Sequence, residues 1–182
     1  VNAPAPDWQP TLRGALVALR PLAWGDFDVL YAVASDPLVW AQHPAHDRHE
    51  LPVFRAFFEE AMAGRGALFV SEVTTGEVIG SSRYHGYDAA ADEVEVGWTF
   101  LARRCWGGAY NGELKRLMLG HAFRYVGRVV MVVGPGNVRS QRAVERIGGR
   151  RVGERRGHWL YEVRRGETGA RQDGFGGGAA SP

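Results

Sequence analysis

Apolar residues change their period along this chain, and each change marks an element. Residues 12–20, LRGALVALR, alternate well enough for a strand. From 22 to 34 apolar positions recur at helical spacing, with Trp24-Gly25-Asp26 at the start, and Pro37 interrupts the helix. Phe54, Phe57, Phe58, Ala61 and Met62 share one face of a helix over 53–63, which Gly64 and Gly66 stop. Residues 67–73 and 78–87 flank Thr74-Thr75-Gly76-Glu77 and predict a hairpin. Val94, Val96, Trp98 and Phe100 alternate in a strand over 93–101, and helical spacing returns over 110–126. Arg128–Val133 is a continuous apolar run, as expected of a buried strand. Gly134-Pro135-Gly136 then turns the chain into a helix over 137–147, and Arg150–Arg155 and 158–163 read as two short closing strands.

The order β-α-α-β-β-β-α-β-α-β-β predicts one α/β domain over 11–165. Residues 1–10, with three prolines, read as a loose lead-in, and the glycine-rich 166–182 as a disordered tail. Composition agrees, with 45% hydrophobic and 23% charged residues in 182. No apolar run approaches the roughly 20 residues of a membrane span. The first residues lack the pattern of a secretory signal, so a cytoplasmic location and no membrane partner are expected. One cysteine excludes an internal disulfide and a cysteine-only metal cluster.

Charge is unevenly distributed. Residues 1–100 hold 6 Arg and 14 Asp+Glu, a balance of −8, and residues 101–182 hold 16 Lys+Arg and 6 Asp+Glu, a balance of +10. The basic half suits a polyanionic ligand and the acidic half an amine, unless the two mix on the folded surface. Arginine supplies 21 of the 22 basic residues, and Lys115 is the only lysine. No basic-aromatic module for nucleic acid is visible.

The strand over 93–101 runs into a glycine turn and then a helix, through Arg103, Arg104, Cys105, Trp106, Gly107, Gly108, Ala109, Tyr110 and Asn111. Such a turn can aim backbone N–H groups and a helix N-terminus at a phosphate, and it is also an ordinary way to join two elements. Arg104-Cys105-Trp106-Gly107-Gly108-Ala109 fits R/Q-x-x-G-x-G/A and so resembles the GCN5-related N-acetyltransferases. Trp106-Gly107 followed by Asn111-x-Glu113-x-Lys115 is similar to the branch resembling ribosomal-protein N-acetyltransferases. Asn137-Val138-Arg139-Ser140-Gln141-Arg142-Ala143 resembles the family's second signature.

The resemblance implies the acetyltransferase fold, a twisted mixed sheet of about seven strands with helices on both faces. It implies acetyl-CoA as acyl donor, an amine acceptor (a protein N-terminus or a small amine), no metal, and a homodimer as a candidate assembly. The splay that admits pantetheine should lie between 94–101 and 128–133. Donor-binding residues would be Phe100, Leu101, Arg103, Arg104, Trp106, Gly107, Gly108, Ala109, Tyr110, Asn111, Asn137, Ser140 and Arg142, with Arg139 a further phosphate contact. Relatives carry a longer final hairpin, whereas Arg155-Arg156-Gly157-His158 leaves room for only a tight turn.

Direct acetyl transfer needs a neutral amine, a donor to the carbonyl oxygen and a proton for the departing thiolate. Glu95 is the first candidate for the base, directly or through water, with Glu93 on the same strand face as base or partner; both also fit a solvated sheet face. Ser140 is the candidate acid by resemblance, one turn from Asn137, which also suits an N-cap. Cys105, beside two arginines and near a helix start, would have a lowered pKa, yet no nucleophile arrangement surrounds it. His43, His46, Asp47, His49 and Glu50 read as a polar lip on the acceptor side in preference to a metal cluster. Trp40, Phe54, Phe57 and Tyr84 fit either that pocket or the core. A non-catalytic acyl-CoA-binding module is the alternative function.

Overall fold

The computed structural model describes residues 5–167. In chain order the strands and helices are β1 (Leu12–Arg13), β2 (Val17–Pro21), α1 (Phe27–Ala34), α2 (Pro37–Trp40), α3 (Leu51–Ala63), β3 (Ala67–Glu72), β4 (Val78–Asp88), β5 (Glu93–Leu101), α4 (Tyr110–Ala122), β6 (Arg128–Val133), α5 (Val138–Arg146), β7 (Arg150–Arg155) and β8 (His158–Arg164). They form one eight-stranded sheet in the order β1-β2-β3-β4-β5-β6-β8-β7. Neighbours joined by turns are antiparallel, and β5 and β6, joined through α4, pair in parallel.

The strand expected over 12–20 is two strands. Between them the N–H groups of Ala15, Leu16 and Val17 donate to the Glu113 carboxylate at 3.0, 2.7 and 2.8 Å. Burial pushes the Glu113 pKa up, but the three backbone donors outweigh it and hold the carboxyl below its ordinary value. A Cβ on Gly14 would stand 2.5 Å from the Glu113 carboxyl carbon, so glycine is what lets the acid approach. The sequence pattern showed Glu113 as part of a motif but not this long-range capping role.

Pro37 starts α2 instead of merely ending α1. It takes the first helical turn, where a missing N–H is harmless, and Asp36 accepts from the Leu38 N–H at 3.0 Å. Two apolar clusters use the two faces of the sheet. Leu68 and Val70 of β3 join the cluster under α4, while Ala67 and Phe69 join the one under α1, α2 and α3.

Residues 5–10 are docked, which corrects the loose lead-in for the part described. The Trp8 ring lies 5.2 Å from Tyr84, 5.3 Å from Tyr87 and 5.6 Å from Tyr125, and the Asp7 carbonyl meets His121 Nε2 at 2.6 Å. Prolines deny this segment a period, so one half-buried aromatic anchors it without any sequence signal. The predicted tail lies almost wholly outside the described residues. The β7–β8 turn is tight, as read from sequence, with Arg156 and Gly157 at φ +52° and +77°.

Candidate active site

The site begins where β5 leaves β6. The strands pair at Glu93–Arg128, Val94–Val129 and Glu95–Val130, and no further, although both continue. The gap therefore opens between 96–101 and 131–133, shorter than expected. Glu93 helps explain the difference. It is buried and ion-paired to Arg128 at 3.1 Å and Arg155 at 3.0 Å, which ties the closed ends together. That burial and pairing contradict a solvated-face position for Glu93 and tie its carboxylate to two arginines, which counts against it as the base.

Beyond the last pair β5 bulges. Ser81 faces Phe100 but Arg83 faces Gly97, so β5 carries an extra residue, and Trp98 sits at φ +51°. Such a conformation costs about 1–2 kcal/mol in a residue with a Cβ. The Trp98 ring is held by His85 at 4.9 Å and the Arg83 guanidinium at 5.0 Å. Arg83 itself is buried and bonded to Glu60 and the Phe57 carbonyl.

A cavity of about 980 Å³ runs along the gap. The structure brings Glu95, Phe100, Leu101, Trp106, Gly107, Gly108, Asn111, Asn137, Ser140 and Arg142 to its wall. Gly107, at φ +70°, makes the turn into α4, a backbone conformation that glycine accepts without strain. Asn137 accepts from the Ser140 N–H at 3.1 Å, so it caps α5 while its amide nitrogen remains available as a donor.

Arg103, Arg104, Ala109 and Tyr110 are not brought to that wall. Arg103 pairs with Asp36, Arg104 with Glu72 at 3.0 Å and Glu77 at 2.9 Å, and the Tyr110 hydroxyl donates to Glu72. The acidic half of the chain is thus partly used to neutralise the basic turn. Arg139 lies 3.7 Å over the Trp106 ring and donates to the Val39 carbonyl at 3.1 Å, joining α5 to α2. Of the candidate acceptor-pocket aromatics, only Trp40 lines the cavity. Phe54 and Phe57 are core, and so is Tyr84, whose hydroxyl donates to the Met118 carbonyl at 2.7 Å.

Burial raises the Glu95 pKa; Arg155 opposes the shift and the Glu93 charge adds to it. Burial also raises the Cys105 thiol, overriding Arg104, which reverses the expected thiolate character. Among the described residues no group of three or more His, Cys, Asp or Glu could hold a metal, and no tyrosine lines the cavity.

The wall also holds a buried lysine for which sequence reasoning predicted no role in the site. Lys115 is buried on α4, and its Nζ meets Thr99 Oγ1 of the bulged strand at 2.6 Å. Among the described residues it forms no ion pair with a carboxylate, and burial lowers its pKa to about 7. Two signals pointed to it: its place in the Asn111-x-Glu113-x-Lys115 motif and its being the sole lysine among 22 basic residues. The cavity is cationic overall: Arg48, Lys115, Arg139, Arg142, Arg146, Arg155 and Arg156 face a single carboxylate, Glu95.

An acetyltransferase (GNAT) domain model matches residues 17–150. An acetyltransferase from Agrobacterium tumefaciens str. C58 is similar at 26% identity, covering 86% of this chain and 95% of that one with a TM-score of 0.70. Mycobacterium smegmatis RimJ, solved in complex with CoA-disulfide, is 19% identical with coverages of 87% and 89% and a TM-score of 0.69. A GCN5-related N-acetyltransferase from Brucella melitensis is 20% identical with coverages of 86% and 79% and a TM-score of 0.74. No curated protein matches the chain. The matched span runs from β2 through α5 and so takes in the splayed strands and both helices beside the cavity; the chain belongs to the acetyltransferase (GNAT) family, whose acetyl donor is acetyl-CoA.

Proposed function

We propose that this enzyme transfers acetyl directly from acetyl-CoA to a protein N-terminus or small amine, with the donor in the β5–β6 gap and the amine beside Glu95. The observation that carries this reading is the gap itself. β5 residues 96–101 have no β6 partners, and the edge leads straight into Gly107-Gly108 and the start of α4. Unpaired strand backbone can bond an extended amide chain, and the turn and helix N-terminus suit its phosphates.

Within this reading Gly107 and Gly108 let the backbone approach the pyrophosphate, and Arg142 adds charge. Asn137 donates its amide N–H to the pantetheine arm. Lys115 Nζ, which donates in either protonation state, faces the same arm with Thr99. Glu95 accepts the proton of the attacking amine, directly or through water, and its raised pKa matches it to that task better than an exposed carboxylate. Ser140 supplies a proton to the thiolate.

Thiol release from acetyl-CoA over a panel of amines tests the reading, alongside calorimetric binding of acetyl-CoA. Release with at least one amine supports it. Tight binding without release on any amine overturns it in favour of a binding module.

A further inference from the structure

We infer that the acceptor is a primary amine that also carries a carboxylate, and that His43 and Arg48 form the subsite for that carboxylate. This rests on the acetyl-transfer reading above.

The subsite follows from counting donors. The Ala45 N–H donates to His43 Nδ1 at 2.9 Å, so that nitrogen carries no proton. The ring therefore holds its single proton on Nε2. Arg48 NH1 lies 3.2 Å from that same Nε2. A guanidinium only donates, and a protonated Nε2 only donates. Two donors thus face each other, and among the described residues neither is hydrogen-bonded to an acceptor. Burial, with the Arg48 charge added, lowers the His43 pKa to about 4, in keeping with a neutral ring.

Arg48 is also held in place without being neutralised. Its guanidinium stands 4.5 Å over the Phe57 ring and 5.5 Å from Trp40. Two acids send charge toward it, Glu60 and Asp47, but Glu60 bonds to Arg83 at 3.1 Å and neither forms an ion pair with Arg48 among the described residues. A carboxylate offers two oxygens in one plane, one for the guanidinium and one for Nε2–H, and would turn the opposed donors into two charge-assisted bonds.

This pair belongs to the Glu95 side of the cavity. A Cβ on Gly134, at the end of β6, would lie 2.9 Å from Pro44 and 3.8 Å from His158, so the 43–48 loop and the β7–β8 turn meet there. Arg155 and Arg156 of that turn act on Glu95. An acceptor bearing an amine and a carboxylate therefore finds the one cavity carboxylate for its amine and the unpaired guanidinium for its acid.

The test uses matched acceptors with saturating acetyl-CoA. One pair is leucine and leucinamide; the other is a peptide amide with N-terminal Glu and its Gln counterpart. The two pairs separate an α-carboxylate from a side-chain carboxylate. The expected result is at least tenfold higher kcat/KM for the anionic member of one pair. Arg48→Gln should lower that value at least tenfold more than it lowers the neutral member's, with acetyl-CoA affinity unchanged, and Arg48→Lys should retain part of the preference. Equal rates within both pairs, or a preference that survives Arg48→Gln, overturns the subsite. If no amine is acetylated, the same four compounds are titrated calorimetrically into the CoA-loaded protein. Arg48-dependent binding of an anionic member then upholds the subsite while the transfer reading fails; no such binding overturns the subsite.

Discussion

On one side of the cavity the lining comes from a single stretch, residues 95–101, 105–108, 111 and 112, running from bulged strand through turn to helix. On the other side Trp40, the 43–48 loop, Gly134 and the β7–β8 turn meet from three distant parts of the chain. The first wall presents backbone edge, glycine and a helix N-terminus, suited to a large invariant donor. The second presents side chains, Arg48 and His43 from a loop and His158 from the first position of β8. On the proposed reading, the donor would be recognised by main-chain geometry and the acceptor by side chains placed mainly on a loop.

The largest effect expected tests whether the donor wall is maintained for function at the expense of stability. Lys115 has a folded pKa of about 7 against an ordinary value of 10.5, a difference of roughly 5 kcal/mol. The unfolded chain keeps this proton up to pH 10.5 and the folded chain loses it near 7. The penalty is therefore full below pH 7 and fades as pH rises to 10.5. After allowing about 1–2 kcal/mol for the lost bond to Thr99, Lys115→Met should stabilise the fold by about 3 kcal/mol at pH 6 and hardly at all at pH 10. Urea unfolding at the two pH values checks this, and destabilisation at pH 6 would break the account.

Gly108→Glu strikes the same wall from the turn. A Cβ at Gly108 meets only the Tyr110 ring, at 3.9 Å, and φ is not in the left-handed region, so the variant should fold. Its charge against phosphate should weaken acetyl-CoA binding by roughly a hundredfold, about 2.7 kcal/mol. Unchanged affinity by calorimetry would move the phosphates elsewhere.

Glu95→Gln sharpens the contrast from the acceptor side. It should lower kcat/KM about tenfold at pH 7 and recover as pH approaches the amine pKa, with acetyl-CoA binding intact. In the wild type the raised Glu95 pKa should place the acid limb of the pH profile above the ordinary carboxylate range. A loss equal at every pH would make Glu95 a positioning group.

The smallest effects separate Asn137 from Ser140. Asn137→Ala should weaken acetyl-CoA binding and lower stability by about 1 kcal/mol through the lost cap. Ser140→Ala should lower kcat and leave affinity nearly constant. Equal binding-only defects would remove Ser140 as the acid.

The contiguous wall was legible in the sequence because its signals are local. Alternation at 94–100, glycine at 107 and 108, and asparagine before a helix each follow from backbone constraints within a few residues. What was missed depended on distant partners. Arg103 and Arg104 sat in a motif, and nothing near them announced that Asp36, Glu72 and Glu77 would take their charges. Glu93 and Glu95 share a face at spacing two, yet two arginines beyond residue 127 bind Glu93 and leave Glu95 to the cavity. Opposed donors such as His43 and Arg48 have no sequence pattern, because the conflict exists only in three dimensions.

The scarcity of lysine has a consequence for the enzyme's own chemistry. A protein that concentrates an activated acetyl group exposes its amines to acylation, whereas guanidinium groups, charged at all accessible pH values, do not compete as nucleophiles. This chain carries 21 arginines and a single ε-amine, and that amine is buried against Thr99. Its described surface offers no lysine to stray self-acetylation or to amine-directed labels. A reagent that does mark Lys115 has entered the cavity, so the extent of labelling, read by mass spectrometry with and without coenzyme A, becomes a direct gauge of how far that cavity is open.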